Sequence, residues 1–570
     1  MKSVLSKKTI FYISIVGLLL SLFINVFSIY NLSKNVLPTL YIFIFGYSLF
    51  TLVGISYYLL ESKIRGERGG ELNNFVIPNS QKLDKILQIS FYVVIILILI
   101  ILSKSLYIKP LLYYLLVSIA TVIIGLQIIS KHEPDKKRDY TILFLQIIPL
   151  ATIIAGSSLL INPYLIGPDV PWHFHFIQNI IESGYLSPSA FHYYYYPSYH
   201  LIQSVSGILL GFSEGSFNLI NLGTSVASII IVYPIGREIF KNDKAGLMCS
   251  LLLSTATMHL FFIGYNTSKI GGTALLLLCL LFIIKLYKSH NIKIVMLFLA
   301  SAVPLFFWHP EISIALLIML GANFVVHVFM RKKLYLNAAF MLYLVAYIAY
   351  LMYVHVSLFT NIIQHIFIEK SSHLMIQSFA SQTITTGFLF QAFIAYLGIT
   401  IPIFFTVYIG LKWLNKLNKI NLFILSLLTL LHMLPVTAVF SGNYGLNPER
   451  TLAYVSILLI IITAGGIFEI FKFRKKSSVT LFAVMLLLFS FFSVSSYLIG
   501  DGNEVFNDQI PIQIMYTTES NLASHNFLNK ISVGSMHVSK IDNLWGEEII
   551  EYAGNHDSLY NNGDFLIFKS

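Results

Sequence analysis

Charge is scarce in this chain: Asp, Glu, Lys and Arg make up 11% of its 570 residues, where a soluble domain carries about 25%. That shortage excludes a soluble globular protein of this length, whose surface would need far more polar cover. Cysteine is nearly absent. Cys249 and Cys279 are the two, both inside apolar runs, so there is no disulfide framework and no thiolate metal site, only two small hydrophobes. The sequence holds no Gly-rich phosphate loop with its lysine, which argues against a nucleotide-driven pump, and no internal repeat. The formal charge of +11 does not imply nucleic acid, because the basic residues sit in short clusters between apolar runs, where they report topology first.

What is abundant is hydrocarbon. Hydrophobic residues make up 56% of the chain, in runs of about 17–25 residues, the length that crosses a bilayer core of roughly 30 Å as a helix. The sequence therefore predicts an all-α polytopic membrane protein with about fifteen transmembrane helices. The expected spans are 9–31, 36–60, 86–103, 110–129, 140–161, 216–235, 246–264, 271–286, 294–309, 312–329, 334–354, 386–411, 420–440, 451–471 and 478–498. The first run is too long for a usual signal-peptide core and is followed by no Ala-x-Ala site, so it is read as a permanent helix. With the N-terminus cytoplasmic, alternate loops collect the basic clusters, such as Lys131–Arg138, Arg237–Lys244, Arg331–Lys333 and Lys472–Lys476. The other side keeps nine of the 37 basic residues: Lys34, Lys104, Lys109, Lys269, Lys370, Arg450, Lys530, Lys540 and Lys569. This asymmetry predicts a multi-pass cell-membrane protein with a cytoplasmic N-terminus and an extracytoplasmic C-terminus.

Three outer segments are too long to be plain connections: 162–215, 355–385 and the tail after 500. The tail, 501–570, is acidic and ends in a turn and strand signal, Asn562-Gly563 before Asp564–Phe568, so a small extracytoplasmic α+β piece is expected there. The stretch Leu201–Leu210 is apolar yet too short to span, which suits an interfacial helix or a re-entrant piece.

Loop 162–215 is the most informative. It opens Gly167-Pro168-Asp169-Val170-Pro171-Trp172-His173-Phe174-His175. Pro171 suits the first turn of a new helix with Asp169 at or near its cap, and His173, four residues on, shares a face with Asp169. An ionisable group at the lip of a membrane cavity is a functional candidate, so Asp169 is read as helix cap, catalytic carboxylate, or both; His175 points elsewhere. Tyr193–Tyr196, with His192 and His200, suits the membrane–water interface or a sugar-stacking groove. A second corner, Trp308-His309-Pro310-Glu311, reads as a capped hairpin or as a second polar contact through His309 and Glu311. A third, Asn447-Pro448-Glu449-Arg450, holds the lone outer arginine, which either snorkels or grips a phosphate. Lys269, in Asn266-Thr267-Ser268-Lys269, can assist it.

A carboxylate base, imidazoles and an arginine on one face are compatible with transfer from a phosphate leaving group to an incoming hydroxyl. Here the residues resemble the GT-C superfamily of membrane glycosyltransferases, in particular archaeal and bacterial members similar to protein mannosyltransferases. Asp169 in Gly-Pro-Asp-Val-Pro-Trp-His matches the acidic residue of that family's large outer loop. Ile181-Glu182-Ser183-Gly184-Tyr185 and Tyr196-Pro197-Ser198-Tyr199-His200 resemble how the loop continues, and Asn447-Pro448-Glu449-Arg450-Thr451 resembles the family's outer arginine. The resemblance covers 140–500, leaves 1–139 as additional N-terminal helices, and implies a GT-C-like fold with 501–570 as an outer tail domain. It implies an inverting transfer of sugar from a polyprenyl- or dolichyl-phosphate donor to a glycan, protein or lipid acceptor. Asp169, His173 and Glu311 would be catalytic; Arg450, Lys269 and His309 would engage the donor. Two features depart from the family: the acidic loop follows the fifth span rather than the first, and paired acids are missing. One carboxylate with imidazoles is a poor magnesium site, so no metal ligand set is expected. The competing expectations are a lipid-linked saccharide transporter or flippase, which predicts broken helices and mid-span ionisable residues such as His259 and Glu469, a surface-polysaccharide polymerase or ligase with the same outer site, and a non-enzymatic scaffold.

Overall fold

In hydrocarbon the backbone has no outside hydrogen-bond partner, so an apolar run satisfies its N–H and C=O groups within itself and becomes helix. A computed structural model of the chain describes residues 7–32, 38–67, 81–105, 108–130, 136–161, 170–186, 192–211, 214–264, 267–289, 291–330, 336–356, 359–360, 386–441, 448–471 and 476–496. The helices are α1 (Lys7–Leu32), α2 (Pro38–Glu67), α3 (Gln81–Lys104), α4 (Leu111–Ser130), α5 (Lys136–Ile161), α6 (Val170–Ser183), α7 (Ser198–Leu210), α8 (Glu214–Phe240) and α9 (Asp243–Ser254). They continue with α10 (Thr257–Gly264), α11 (Thr267–Leu286), α12 (Ile292–Phe306), α13 (Pro310–Met330), α14 (Asn337–Tyr353), α15 (Thr386–Asn415), α16 (Lys419–Ser441), α17 (Pro448–Phe471) and α18 (Lys476–Val494). The tail 501–570, with its expected strand, and Asp169 lie outside the described residues.

Among the described residues, eleven helices are long and apolar enough to cross a membrane, against the about fifteen expected from run lengths. The difference falls on four expected spans. Those at α12 and α14 have shorter apolar stretches, Ile292–Phe306 and Asn337–Tyr353, and that at α16 is apolar over Lys419–Met433, where its described side chains end. The fourth, 246–264, was expected as one helix and is two, α9 and α10. At the break the Ser254 and Thr255 hydroxyls bond the carbonyls of Leu251 and Leu252, and the N–H groups of Thr255 and Ala256 turn back to Leu252 and Leu253. Hydroxyl side chains competing for helix carbonyls are a recognised cause of bends.

The solvent preference is inverted relative to a soluble bundle. On α1, Ser14, Ser21, Asn25 and Ser28 are buried while Phe11, Val16, Leu20, Phe23 and Phe27 are exposed, so small polar groups mediate the helix contact and large apolar groups face lipid. The additional N-terminal helices split over two flanks: α1–α2 lies along α15, and α3–α4 packs on α5 and α18. The α2–α15 seam is close because Gly54 leaves no room for a Cβ, which would stand 2.9 Å from the Phe404 carbonyl oxygen. Across it Asn415 Nδ2 donates to Tyr58 at 2.6 Å, and the Tyr47 hydroxyl of α2 meets His432 Nε2 of α16 at 2.6 Å. The most buried spanning helices are α11 and α17, and they form the middle of the bundle with α8, α9, α13, α15 and α16 around them.

The two ends of the bundle differ. One gathers the basic clusters: Arg237 stands 3.9 Å from Asp243, Lys288 pairs with Glu238, and Lys412 pairs with Glu469. The other carries α6, α7 and the described candidates His173, Lys269, His309 and Glu311.

Candidate functional site

At the α6–α7 end, α11 and α13 both begin, and their first turns supply opposite charges. Lys269 Nζ lies 2.9 Å from Glu311 Oε2, with the lysine side chain 1% and the glutamate 10% exposed. Pro310 starts α13 and sets Glu311 in its first turn, where the helix dipole favours a carboxylate. His309 Nδ1 accepts the Glu311 N–H at 3.2 Å and fixes that turn. Trp308 lies against α11: its Nε1 donates to the Ser268 carbonyl at 2.7 Å. Only glycine fits beneath its ring, since a Cβ on Gly271 would stand 2.7 Å from Trp308 Cζ2 and one on Gly272 2.8 Å from Trp308 Cδ1. The turn joining α12 to α13 is thus clamped onto α11, which is what brings Glu311 to Lys269.

Loop 162–215 docks on this corner. The Ser198 N–H donates to the Phe307 carbonyl at 3.1 Å, and the Tyr199 ring lies 6.2 Å from Trp308. The Tyr350 hydroxyl of α14 donates to the Tyr195 carbonyl, and Tyr195 stacks on His355 at 4.3 Å. The Tyr193–Tyr196 stretch is therefore divided in role: Tyr196 is buried in contact with Tyr350, while Tyr194 is exposed. From α7, Gln203 Nε2 and the Tyr199 hydroxyl donate to Asn221 Oδ1 of α8 at 2.9 and 3.3 Å.

Two imidazoles meet between α6 and α7. His173 Nδ1 and His200 Nε2 are 2.9 Å apart, both rings buried, with Tyr199 edge-on to His173 and Phe176 edge-on to His200. Burial, and after it the Lys269 ammonium, push His173 down to about 3; burial and then His173 hold His200 well below the usual imidazole range. Both rings are neutral at pH 7, and one donates to the other. His175 instead is exposed and bonds Asn179 at 3.2 Å.

Four of the six candidates, His173, Lys269, His309 and Glu311, therefore gather at one corner: Lys269 pairs with Glu311, His309 caps it, and the Lys269 charge reaches His173. Asp169 lies just before α6, outside the described residues; Arg450 is in the first turn of α17, with its side chain outside them. His200, Tyr199, Gln203 and Asn221 were not singled out as site residues from sequence. Asn221 within an apolar span was the available signal, since a polar group there needs a partner. One turn inward from Lys269, an apolar cavity of about 30 Å³ is lined by Thr273, Leu277, Ala315, Met319, Leu431 and Tyr454 among others. Among the described residues no three His, Cys, Asp or Glu side chains group in a way that could hold a metal ion.

No family model and no curated protein matches the chain. Solved structures with a similar course of chain include the Archaeoglobus fulgidus oligosaccharyltransferase tethered to an acceptor peptide, at 14% identity over 76% of this chain and 61% of that one, TM-score 0.42. They also include ArnT from Cupriavidus metallidurans, at 13% identity over 75% of this chain and 86% of that one, TM-score 0.45. The same protein bound to undecaprenyl phosphate matches at 12% identity, with a TM-score of 0.37 over 75% of this chain and 86% of that one. The present chain thus spans less than two thirds of the oligosaccharyltransferase's length. These likenesses lie in the course of the chain, and no activity passes to this chain from them.

Proposed function

We propose that this protein transfers a sugar from a polyprenyl-phosphate-linked donor to an acceptor at the extracytoplasmic membrane face, with inversion. The observation that carries the reading is the meeting of loop 162–215 with the α11–α13 corner, where an ammonium, a carboxylate and neutral imidazoles share one small volume at a helix-bundle end. In this reading Asp169 takes the proton from the acceptor hydroxyl. Arg450 and Lys269 offset the charge of the departing phosphate. Lys269 is held by Glu311, so a donor phosphate replaces or joins that carboxylate when it binds. His173, a neutral ring, and His309 line the approach, and no metal enters the scheme.

The test is transfer by the purified chain in vesicles containing a polyprenyl-phosphate-linked sugar and a hydroxyl acceptor. Asp169→Asn is expected to abolish transfer; full transfer by that variant removes Asp169 as the base. Arg450→Ala is expected to raise KM for the donor, and an unchanged KM and kcat remove its phosphate role. A polymerase or ligase of surface polysaccharide would use the same corner and is distinguished by its acceptor. A lipid-linked saccharide flippase is the second reading, favoured by the α9–α10 break and by buried His259, whose Nε2 lies 3.1 Å from Ser225 Oγ. Movement of a labelled lipid-linked sugar between leaflets, unaffected by Asp169→Asn, would favour it.

A further inference from the structure

The two short helices of loop 162–215 have opposite polarity. On α6 the exposed positions are His175, Asn179, Glu182 and Ser183, while Val170, Phe174, Phe176, Ile177 and Ile180 are buried. That is the ordinary arrangement for a helix with water on its free side. On α7 the buried positions are Tyr199, His200, Gln203, Ser204 and Gly207. Its free face is Leu201, Ile202, Val205, Ile208, Leu209 and Leu210, with Leu209 78% exposed. The helix carries no charge, and its larger polar side chains, Tyr199, His200 and Gln203, point into the protein. A face of six large apolar residues in water would be costly; against acyl chains it is the expected one.

A second observation concerns height. α7 starts where α12 ends, through the Ser198–Phe307 hydrogen bond. α12 is apolar and exposed along its length, at Ile292, Met296, Leu299, Val303 and Phe307. From residue 292 to 307 a helix rises roughly 22 Å, about 8 Å short of a hydrocarbon core of roughly 30 Å. Tilt only enlarges that shortfall. The missing height is less than the width of one helix, about 10 Å, and α7 begins at this point with its apolar face outward. At its far end Gly211, with φ of 80°, turns the chain in a conformation that favours glycine, before α8 starts.

We infer that the water–hydrocarbon boundary of this leaflet passes between α6 and α7: α7 lies among the acyl chains with its apolar face to lipid, and α6 lies on the aqueous side. The His173–His200 pair, one ring from each helix, straddles that boundary, and the corner at Trp308 stands below it. Whatever chemistry the corner performs, a molecule reaching it past α7 travels within the leaflet, with its polar head at the level of the imidazoles.

Site-directed spin labelling of the full chain in phosphatidylcholine vesicles tests this. Single labels are placed at Val205→Cys and Leu209→Cys on α7 and at Asn179→Cys on α6; all three native side chains are exposed, so no packed atom is displaced. Cys249 and Cys279 are fully buried, and a sample without added cysteine reports any label they take. Labels at 205 and 209 are expected to collide several-fold more often with oxygen, which concentrates in hydrocarbon, than with a water-soluble nickel chelate. The label at 179 is expected to show the reverse. Nickel collision at 205 and 209 equal to that at 179 overturns the assignment, as does an oxygen-rich, nickel-poor environment at 179. Neither readout depends on sugar transfer, so failure here is distinct from failure of the proposed activity.

Discussion

Neutralising Glu311 should expose how strongly the corner depends on its ion pair. The Lys269 side chain is 1% exposed and its ammonium sits 2.9 Å from the carboxylate, so Glu311→Gln leaves a positive charge buried opposite a neutral amide. Removing one partner of a buried pair costs about 3–5 kcal/mol, whereas removing both charges together costs far less and is at times favourable. If the chain melts as one unit, with unfolding entropy of about 2.1 cal/mol/K per residue, that penalty lowers Tm by roughly 3–4 °C. The assay is thermal unfolding in detergent of the parent, Glu311→Gln, Lys269→Met and the double variant. Both single variants are expected to melt lower and the double variant to recover most of the loss. Single variants melting within about 1 °C of the parent, or a double variant showing the sum of the two losses, would refute the pairing as the corner's main electrostatic contact.

His173 and His200 have folded pKa values below the free imidazole value, so the unfolded chain binds protons that the folded chain refuses. Their contribution to stability is complete above about pH 6.5 and is lost as pH falls below it, for His173 toward about 3, at up to about 1.4 kcal/mol per pH unit for each ring. Chemical unfolding between about pH 5 and 6.5, above the range of ordinary carboxylates, should show this slope, and His200→Phe should flatten it. Gly272→Ala places a methyl 2.3 Å from Ile312 Cδ1 and 2.8 Å from Trp308; a loss of about 1–3 kcal/mol is expected, read as a lower Tm with a red-shifted Trp308 emission. Tyr47→Phe removes the hydroxyl that meets His432 at 2.6 Å, and a loss of about 1 kcal/mol should appear as faster proteolytic release of α1–α2 from the bundle.

The helices were legible because hydrocarbon leaves the backbone one economical solution, and the run lengths report it directly. The short helix at 198–210 was partly legible for the same reason: Leu201–Leu210, with six large apolar residues among ten and no charge, is too short to span. The break at Thr255–Ala256 was not, because hydropathy sees Ser254 and Thr255 as neutral while their hydroxyls capture helix carbonyls. In the site, single residues could be picked out by residue type, as Lys269, His309, Glu311 and His173 were. Their partners could not, since the pairing of Lys269 with Glu311 depends on how α11 and α13 cross, and that crossing is set by Trp308 lying flat on two glycines. His200 reads, with its tyrosine neighbours, as interfacial or groove-lining; only the fold puts it against His173.

The interruption between α9 and α10 divides one membrane crossing into two levers. The first is seated among α8, α5 and α17; the second is tied to α18, where the Thr257 hydroxyl donates to the Ser493 carbonyl at 3.1 Å. A continuous rod would carry one axis from end to end, whereas this break gives α9 and α10 separate anchorages, with His259 on the second. The end of the bundle that carries the imidazoles and the end that carries the basic clusters are thus not joined by one unbroken helix along this path.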